Sequence, residues 1–390
     1  MTLDSTSGSG RPVDPNLTTR LPRPSTALDG ARRHDYEDPE EEEAAELDDP
    51  GDPESLGSRL LRPRTLVSFA IAILIVYFVF KRLNIDPGTV WGYLKNADPF
   101  LFGAAVTVFF FSFVLRAIRW RMMLARVGFD QRRGYAIPRI PGMFQIFLLS
   151  WFANCVVPAR LGDAYRSFLL KERAKTSFSV GLGTILAERL IDLVVMVAMV
   201  LVTGVIVFGT SVPSQAEQAF VVGAVVVTVG IFGAVALWFL RDQVVRLVPE
   251  RFSHHFLHLH GAIFDILKRP YPYAGIGILI WLCDGLRLFL IARSLGTHLR
   301  FDEAIVVSLL SALVTIVPIT PAGLGVVEGF MIWLLPRVGV LADPAAAIAF
   351  LDRFATYWIL ILVGLPLYFF NLKRDVSVAK TAKRPQPQTQ

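Results

Sequence analysis

Residues 143–175 read MFQIFLLSWFANCVVPARLGDAYRSFLLKERAK. The segment 143–157 is apolar enough for a bilayer, yet it is short and stops at Asn154 and Pro158. A helix that crosses the hydrocarbon core needs about 20 apolar residues to cover about 30 Å. Arg119, Arg121, Arg126, Arg132, Arg133 and Arg139 come before the segment, and Arg160, Arg166, Lys171, Arg173 and Lys175 come after it. Lys/Arg-rich short loops stay on the cytoplasmic side. If 143–157 crossed the membrane, one of the two basic stretches would lie outside. If it dips in and returns as a re-entrant hairpin, both stay inside.

Six other segments are long and apolar enough to span: roughly 66–83, 99–120, 178–208, 219–240, 271–293 and 345–370. One more is anomalous. Segment 303–336 is interrupted by Pro318, Pro321, Gly323 and Gly325. Treated as a second hairpin, entering from the outer face, it leaves Arg59, Arg62, Arg64, the 241–269 connector and Lys373 to Arg384 all inside. Every loop then fits, with N- and C-termini cytoplasmic.

The two anomalous segments share a sequence. Pro158-Ala159-Arg160-Leu161-Gly162 and Pro321-Ala322-Gly323-Leu324-Gly325 match at four of five positions, 163 residues apart. Glu188-Arg189 follows 30 residues beyond Pro158, and Asp352-Arg353 follows 31 beyond Pro321. Two landmarks at matched spacing predict an internal repeat, and the topology makes it inverted. Inverted repeats with interrupted helices are the architecture of many secondary transporters, whose broken segments point to the substrate site. The expected fold is therefore all-α and polytopic: six full transmembrane helices plus two re-entrant hairpins, about eight apolar segments, in an inverted repeat. Repeat one covers 65–208 and repeat two 219–372.

Composition agrees and excludes alternatives. The 390 residues are 53% apolar, 12% aromatic and only 18% charged, below the usual quarter for soluble domains. The net charge of +6 is a remainder. Residues 1–64 hold 8 arginines against 15 carboxylates, and the rest holds 31 basic against 18 acidic residues. A basic nucleic-acid binder is excluded. Residues 1–64, rich in Pro, Gly, Ser and acid with a Glu40–Glu43 run, are expected to be a disordered acidic tail, and 373–390 a cytoplasmic C-terminal tail. The two cysteines, Cys155 and Cys283, lie in apolar runs, so neither a disulfide framework nor a Cys-ligated metal is expected. His254, His255, His258 and His260 read as an amphipathic connector rather than a metal site. The tryptophans at 91, 120, 151, 238, 281 and 358 read as belt or packing aromatics. No Gly-Lys dipeptide occurs, which excludes a P-loop, and no cofactor is expected.

Charge inside hydrocarbon is costly and points to function. Arg116 lies in the second span, Glu188, Arg189 and Asp192 in the third, Asp284 and Arg287 in the fifth, and Asp352 and Arg353 in the sixth; Arg160, Asp163, Arg166 and Glu328 lie on the hairpins. Glu188 and Asp192 share a helix face, and Asp284 and Arg287 are spaced to pair. The candidate substrate site is Arg160, Asp163, Arg166, Glu188, Arg189, Asp192, Glu328, Asp352 and Arg353, with hairpin tips at Pro158, Gly162, Pro321, Gly323 and Gly325. Arginines beside helix N-termini suit a phosphate. Their acidic partners either carry a coupling proton or hold the arginines when the site is empty. The bland alternative is mutually neutralising pairs that fix helix packing.

The ordered set Val157 to Arg166, Ala187-Glu188-Arg189-Leu190-Ile191-Asp192, Thr320 to Gly329 and Asp352-Arg353 resembles the lysylphosphatidylglycerol synthase transmembrane family over about residues 65–372. That resemblance implies a flippase-like membrane domain. In the full-length synthases such a domain is implicated in moving aminoacylated phosphatidylglycerol, while a separate soluble domain transfers the aminoacyl group. About 20 residues follow the last span here, so the transferase domain is expected to be absent and the chain is not expected to be an enzyme. The expected function is a plasma-membrane lipid flippase or transporter for an anionic headgroup, phospholipid or polyprenyl-phosphate-linked sugar. The alternative is a scaffold or lipid-presenting partner of a separate, membrane-associated glycosyl- or aminoacyltransferase. An intramembrane enzyme is a third reading, for which the sequence offers no placed nucleophile.

Overall fold

The computed structural model describes residues 80–130, 133–156, 161–208, 250–315 and 320–382, with isolated helical positions at 74, 77, 78 and 233. The acidic tail, most of segments 66–83 and 219–240, and the tip residues Pro158 and Arg160 lie outside the described residues. Every described regular element is helical.

The first half begins with α1 (Pro87–Lys95), a short helix started by Pro87 at its first position and by Asp86, whose carboxylate accepts from Gly88 N and Thr89 N at 3.1 and 3.0 Å. The same device starts α2 (Pro99–Arg126), where Asp98 caps Phe100 and Leu101. Its 28 residues extend about 42 Å. Next, α3 (Ile140–Val156) and α4 (Gly162–Ala174) form a helical hairpin. At its tip Gly162 N donates to Asn154 Oδ1 (2.9 Å) and Ser150 Oγ donates to the Gly162 carbonyl (2.7 Å). At its open end Arg173 of α4 donates to Gln145 of α3 (3.0 Å). Gly162 is required by space, since a Cβ there would run into the Ser150 carbonyl and the Asn154 side chain. Lys175 turns the chain in the left-handed region, and α5 (Phe178–Phe208) follows.

The second half repeats the order of lengths. After α6 (Glu250–Leu267) come α7 (Tyr271–Ser294), α8 (Phe301–Val314), a 3-10 turn at Pro321–Gly323, α9 (Val326–Leu334) and α10 (Ala342–Arg353). A π-helical turn, Phe354–Trp358, joins α10 to α11 (Ile359–Ala382) without a break. The turn before α9 has Ala322, Gly323 and Gly325 at φ of 48°, 71° and 81°, a region that disfavours side chains with a Cβ.

Contacts within each half follow one pattern. In the first, α2 packs on α3, α3 on α4, α4 on α5 and α2 on α5; in the second, α7 packs on α8, α8 on α9, α9 on α10 and α7 on α10. The halves join along α2 and α7. Asp98 N at the start of α2 donates to the Ser294 carbonyl at the end of α7 (2.8 Å), and Arg126 at the other end of α2 reaches the Asp265 carbonyl just before α7 (3.4 Å). These two helices therefore run antiparallel. Between halves, α5 packs on α8 and α11 on α3, and the 3-10 turn touches α3.

Among the described residues, four helices are long and apolar enough to cross a membrane: Pro99–Arg126, Phe178–Val207, Tyr271–Ser294 and Ala342–Asn371. The protein is all-α with multiple apolar spans. Large apolar side chains such as Phe100, Val205, Leu362 and Phe370 are exposed on the outside of these helices, which suits lipid and would be unfavourable in water. The connector helix α6 packs along α5 at Gly183, where a Cβ would come within 2.6 Å of the Leu259 carbonyl. One turn of α6 sets the His260 ring against Phe264, centroids 4.4 Å apart and the planes tilted by 44°.

Candidate functional site

Two groups of charged side chains lie within the helices. In the first, Arg119 of α2 donates from Nη1 and Nη2 to the two oxygens of Asp192 (2.5 and 2.9 Å), and from Nη2 to Glu188 Oε1 (2.7 Å). Both carboxylates come from one face of α5, four residues apart, so a single guanidinium bridges successive turns. The other oxygen of Glu188 accepts from Arg166 of α4 at 2.8 Å. Arg166 also lies over the rings of Trp120 (4.7 Å) and Phe147 (4.5 Å), which favours a cation that has lost its water. Arg189, next in sequence to Glu188, points about 100° further round the helix. It holds Asp163, in the first turn of α4, through three hydrogen bonds of 2.8, 2.8 and 3.2 Å.

The second group follows the same rule. Arg287 of α7 donates from Nε to Asp352 Oδ1 (2.9 Å), as Arg119 of α2 does to Glu188, and from Nη1 to Asp284 (2.7 Å). Arg353, next to Asp352, faces Glu328 in the first turn of α9, with Nε 3.4 Å from Oε1. Its Nη2 donates to the Gly323 carbonyl at 3.2 Å, and Glu328 Oε2 accepts from Gly325 N at 2.8 Å. Arg116 joins this group across the α2–α7 contact, reaching Asp284 at 3.3 Å and lying over Trp151 at 5.1 Å.

Each group holds three arginines and three carboxylates and is neutral: Arg119, Arg166 and Arg189 with Asp163, Glu188 and Asp192; Arg116, Arg287 and Arg353 with Asp284, Glu328 and Asp352. Neutral, hydrogen-bonded groups are the form in which buried charge is tolerated. Breaking one pair leaves an uncompensated ion at a cost of about 3–5 kcal/mol.

Of the sequence-derived candidates, Asp163, Arg166, Glu188, Arg189 and Asp192 come together in the first group, and Glu328, Asp352 and Arg353 in the second. Arg160 and Pro158 lie outside the described residues. Gly162, Gly323 and Gly325 stand at the breaks, and in the second half the 3-10 turn Pro321–Gly323 opens the break. One reading needs correction. Charge patterning places Arg119 in the basic stretch after the second span, but α2 continues to Arg126 and Arg119 is buried as the centre of the first group. The signal was its spacing, three residues beyond the intramembrane Arg116. Asp284 and Arg287 do pair, as their spacing indicates, and also bridge to Arg116 and Asp352. Trp120 is a packing residue whose Nε1 donates to Thr184 Oγ1 at 3.0 Å, whereas Trp91 and Trp358 are exposed.

The profile of the family described as Lysylphosphatidylglycerol synthase TM region matches residues 65–364. A UPF0104 membrane protein of Methanocaldococcus jannaschii is 28% identical over 229 residues, 58% of this chain and 96% of that protein. The glycosyltransferase AglD of Haloferax volcanii is 25% identical over 368 residues, 83% of this chain but 57% of AglD. A UPF0104 membrane protein of Methanothermobacter thermautotrophicus is 23% identical over 320 residues, 76% of this chain and 92% of that protein.

Proposed function

The chain belongs to the lysylphosphatidylglycerol synthase transmembrane-region family, and from that premise we propose that it is a lipid translocator rather than an enzyme. It takes an anionic headgroup, of a phospholipid or a polyprenyl-phosphate-linked sugar, between two re-entrant hairpins and moves it by alternating access. The observation that carries this reading is the recurrence of one pairing rule at two tips. An arginine of the first long helix takes the acid of the acidic-Arg pair, and the arginine of that pair takes a carboxylate in the first turn after the break. Packing alone gives no reason for the same rule to appear twice.

The antiparallel α2–α7 contact and the matching contacts within halves support an inverted repeat, 65–208 against 219–372, with six full spans and two hairpins. The α3 and α4 helices, about 25 and 20 Å long, support a segment that enters and returns. Both termini are cytoplasmic, and the membrane is the plasma membrane. In reconstituted vesicles Arg189→Lys and Arg353→Lys, which keep the charge of each pair but lose the planar donor edge, each abolish lipid translocation while the protein stays folded by gel filtration; unchanged rates refute the assignment.

The similarity to AglD favours a second reading, in which the domain presents a lipid to a separate transferase. A stoichiometric transferase in a pull-down, with no translocation by the isolated protein, selects it. Turnover of a lipid phosphoester by the purified chain would select an enzyme instead.

A further inference from the structure

The arginines of the two tips are not equally satisfied. Arg189 makes three hydrogen bonds to Asp163. Arg353 makes one, of 3.2 Å, to a carbonyl, and its Nε, though Arg353 is only 8% exposed, has no hydrogen-bond partner among the described residues. The Nε atoms of Arg116, Arg119 and Arg166 also lack a partner, but each of those guanidiniums donates to a carboxylate through its Nη atoms, whereas Arg353 donates to none and its lost hydration is the least replaced. What Nε faces is the start of α9. There Val326 and Val327 carry amides that a helix leaves without an intrahelical acceptor, and Gly323 and Gly325 bring the backbone round with positive φ. Glu328 sits in that concavity. It accepts from Gly325 N at 2.8 Å and stands 3.4 Å from Arg353, an ion pair without a hydrogen bond.

We propose that the second tip is a binding site for a phosphate-class oxyanion, and that Glu328 occupies it as a displaceable internal anion. This rests on the translocator reading and names where the headgroup is held. An arriving oxyanion takes Gly325 N–H, the first amides of α9 and the free edge of Arg353, and the Glu328 carboxylate swings out. Asp163 at the first tip is held too firmly by Arg189 to be displaced in the same way. The chemistry is shared by a lipid phosphodiester and by free phosphate.

The test uses the full chain in maltoside micelles, which contain no phosphate. The probes are inorganic phosphate and dihexanoyl phosphatidylglycerol. Amide exchange at residues 323–329 of the unaltered protein slows with at least one probe; the phosphate arm alone identifies a soluble ligand, and the lipid arm alone a headgroup. By calorimetry Glu328→Gln binds the same probe about tenfold more tightly, having lost the competing charge, and Arg353→Lys about tenfold more weakly, having lost the planar donor edge. A merely structural role would weaken both. Exchange at 323–329 that neither probe changes, or both variants moving affinity in one direction, overturns the site. Translocation that depends on Arg189 and Arg353 without probe binding at 323–329 would leave the translocator reading standing and remove this one. Binding at 323–329 without translocation would do the reverse.

Discussion

The side chains of Arg189 and Asp163 are 36% and 19% exposed, while those of Arg353 and Glu328 are 10% and 4% exposed. The first tip is thus open and satisfied, the second closed and under-satisfied. Leu161 at the first tip is exposed and its counterpart Leu324 is half-buried, packed on the apolar cluster that includes Phe147 and Phe152. One sequence pattern has produced two unlike local states. On the translocator reading proposed above, two related halves in different states are what alternating access between inverted repeats requires.

The comparison can be broken at its strongest point first. Arg119→Met leaves Glu188 and Asp192 without their shared cation, and Arg287→Met does the same to Asp284 and Asp352. Each is expected to lose about 3–5 kcal/mol, enough to deplete the folded protein in fluorescence-detected gel filtration. If one variant were as stable as the parent, the two groups would not be equivalent supports. A smaller effect separates the tips. Gly162→Ala meets the Ser150 carbonyl, an overpacking cost of about 1–3 kcal/mol. Gly323→Ala meets a Val327 methyl at 3.0 Å and the penalty of a positive φ, 71°, about 1–2 kcal/mol. A thermal melt should rank Gly162→Ala lower; the opposite order would place the tighter break in the second half. The smallest effect tests how the halves are joined. Tyr357, in the π turn just after Asp352-Arg353, donates to the Cys155 carbonyl at the end of α3 (3.1 Å). Tyr357→Phe should cost about 1 kcal/mol in the same melt. No shift would mean that this bond contributes nothing to holding the second half on the first hairpin.

Several of these features were legible from residue order because their causes are local. Asn154 and Pro158 end an apolar run too short to span, and the structure places a helical hairpin there. Glu188 and Asp192 lie four apart, and both meet Arg119. Arg119 itself was misread for a physical reason. Loop assignment by basic residues treats Arg119, Arg121 and Arg126 as one cluster, and it cannot register that the helix continues through them, turning Arg119 inward and Arg126 outward. The bridge from Arg287 to Asp352 spans 65 residues and that from Arg116 to Asp284 spans 168; no periodicity reports such distances.

Membrane character, the positions of the breaks, the pairing of Glu188-Arg189 with Asp352-Arg353 as counterparts and the candidate charges all follow from composition, spacing and helix periodicity, which act over a few turns. The choice of partners does not. Which arginine meets which carboxylate depends on α2 running antiparallel along α7 and on the 3-10 turn of the second half touching α3. The unequal closure of the two tips depends on the same packing. The local motifs are similar, with the carboxylate one residue past Gly162 in the first half and three past Gly325 in the second. They form a firm ion pair in one place and a loose one in the other, and the surrounding helices, by excluding water and fixing approach distance, contribute to that difference.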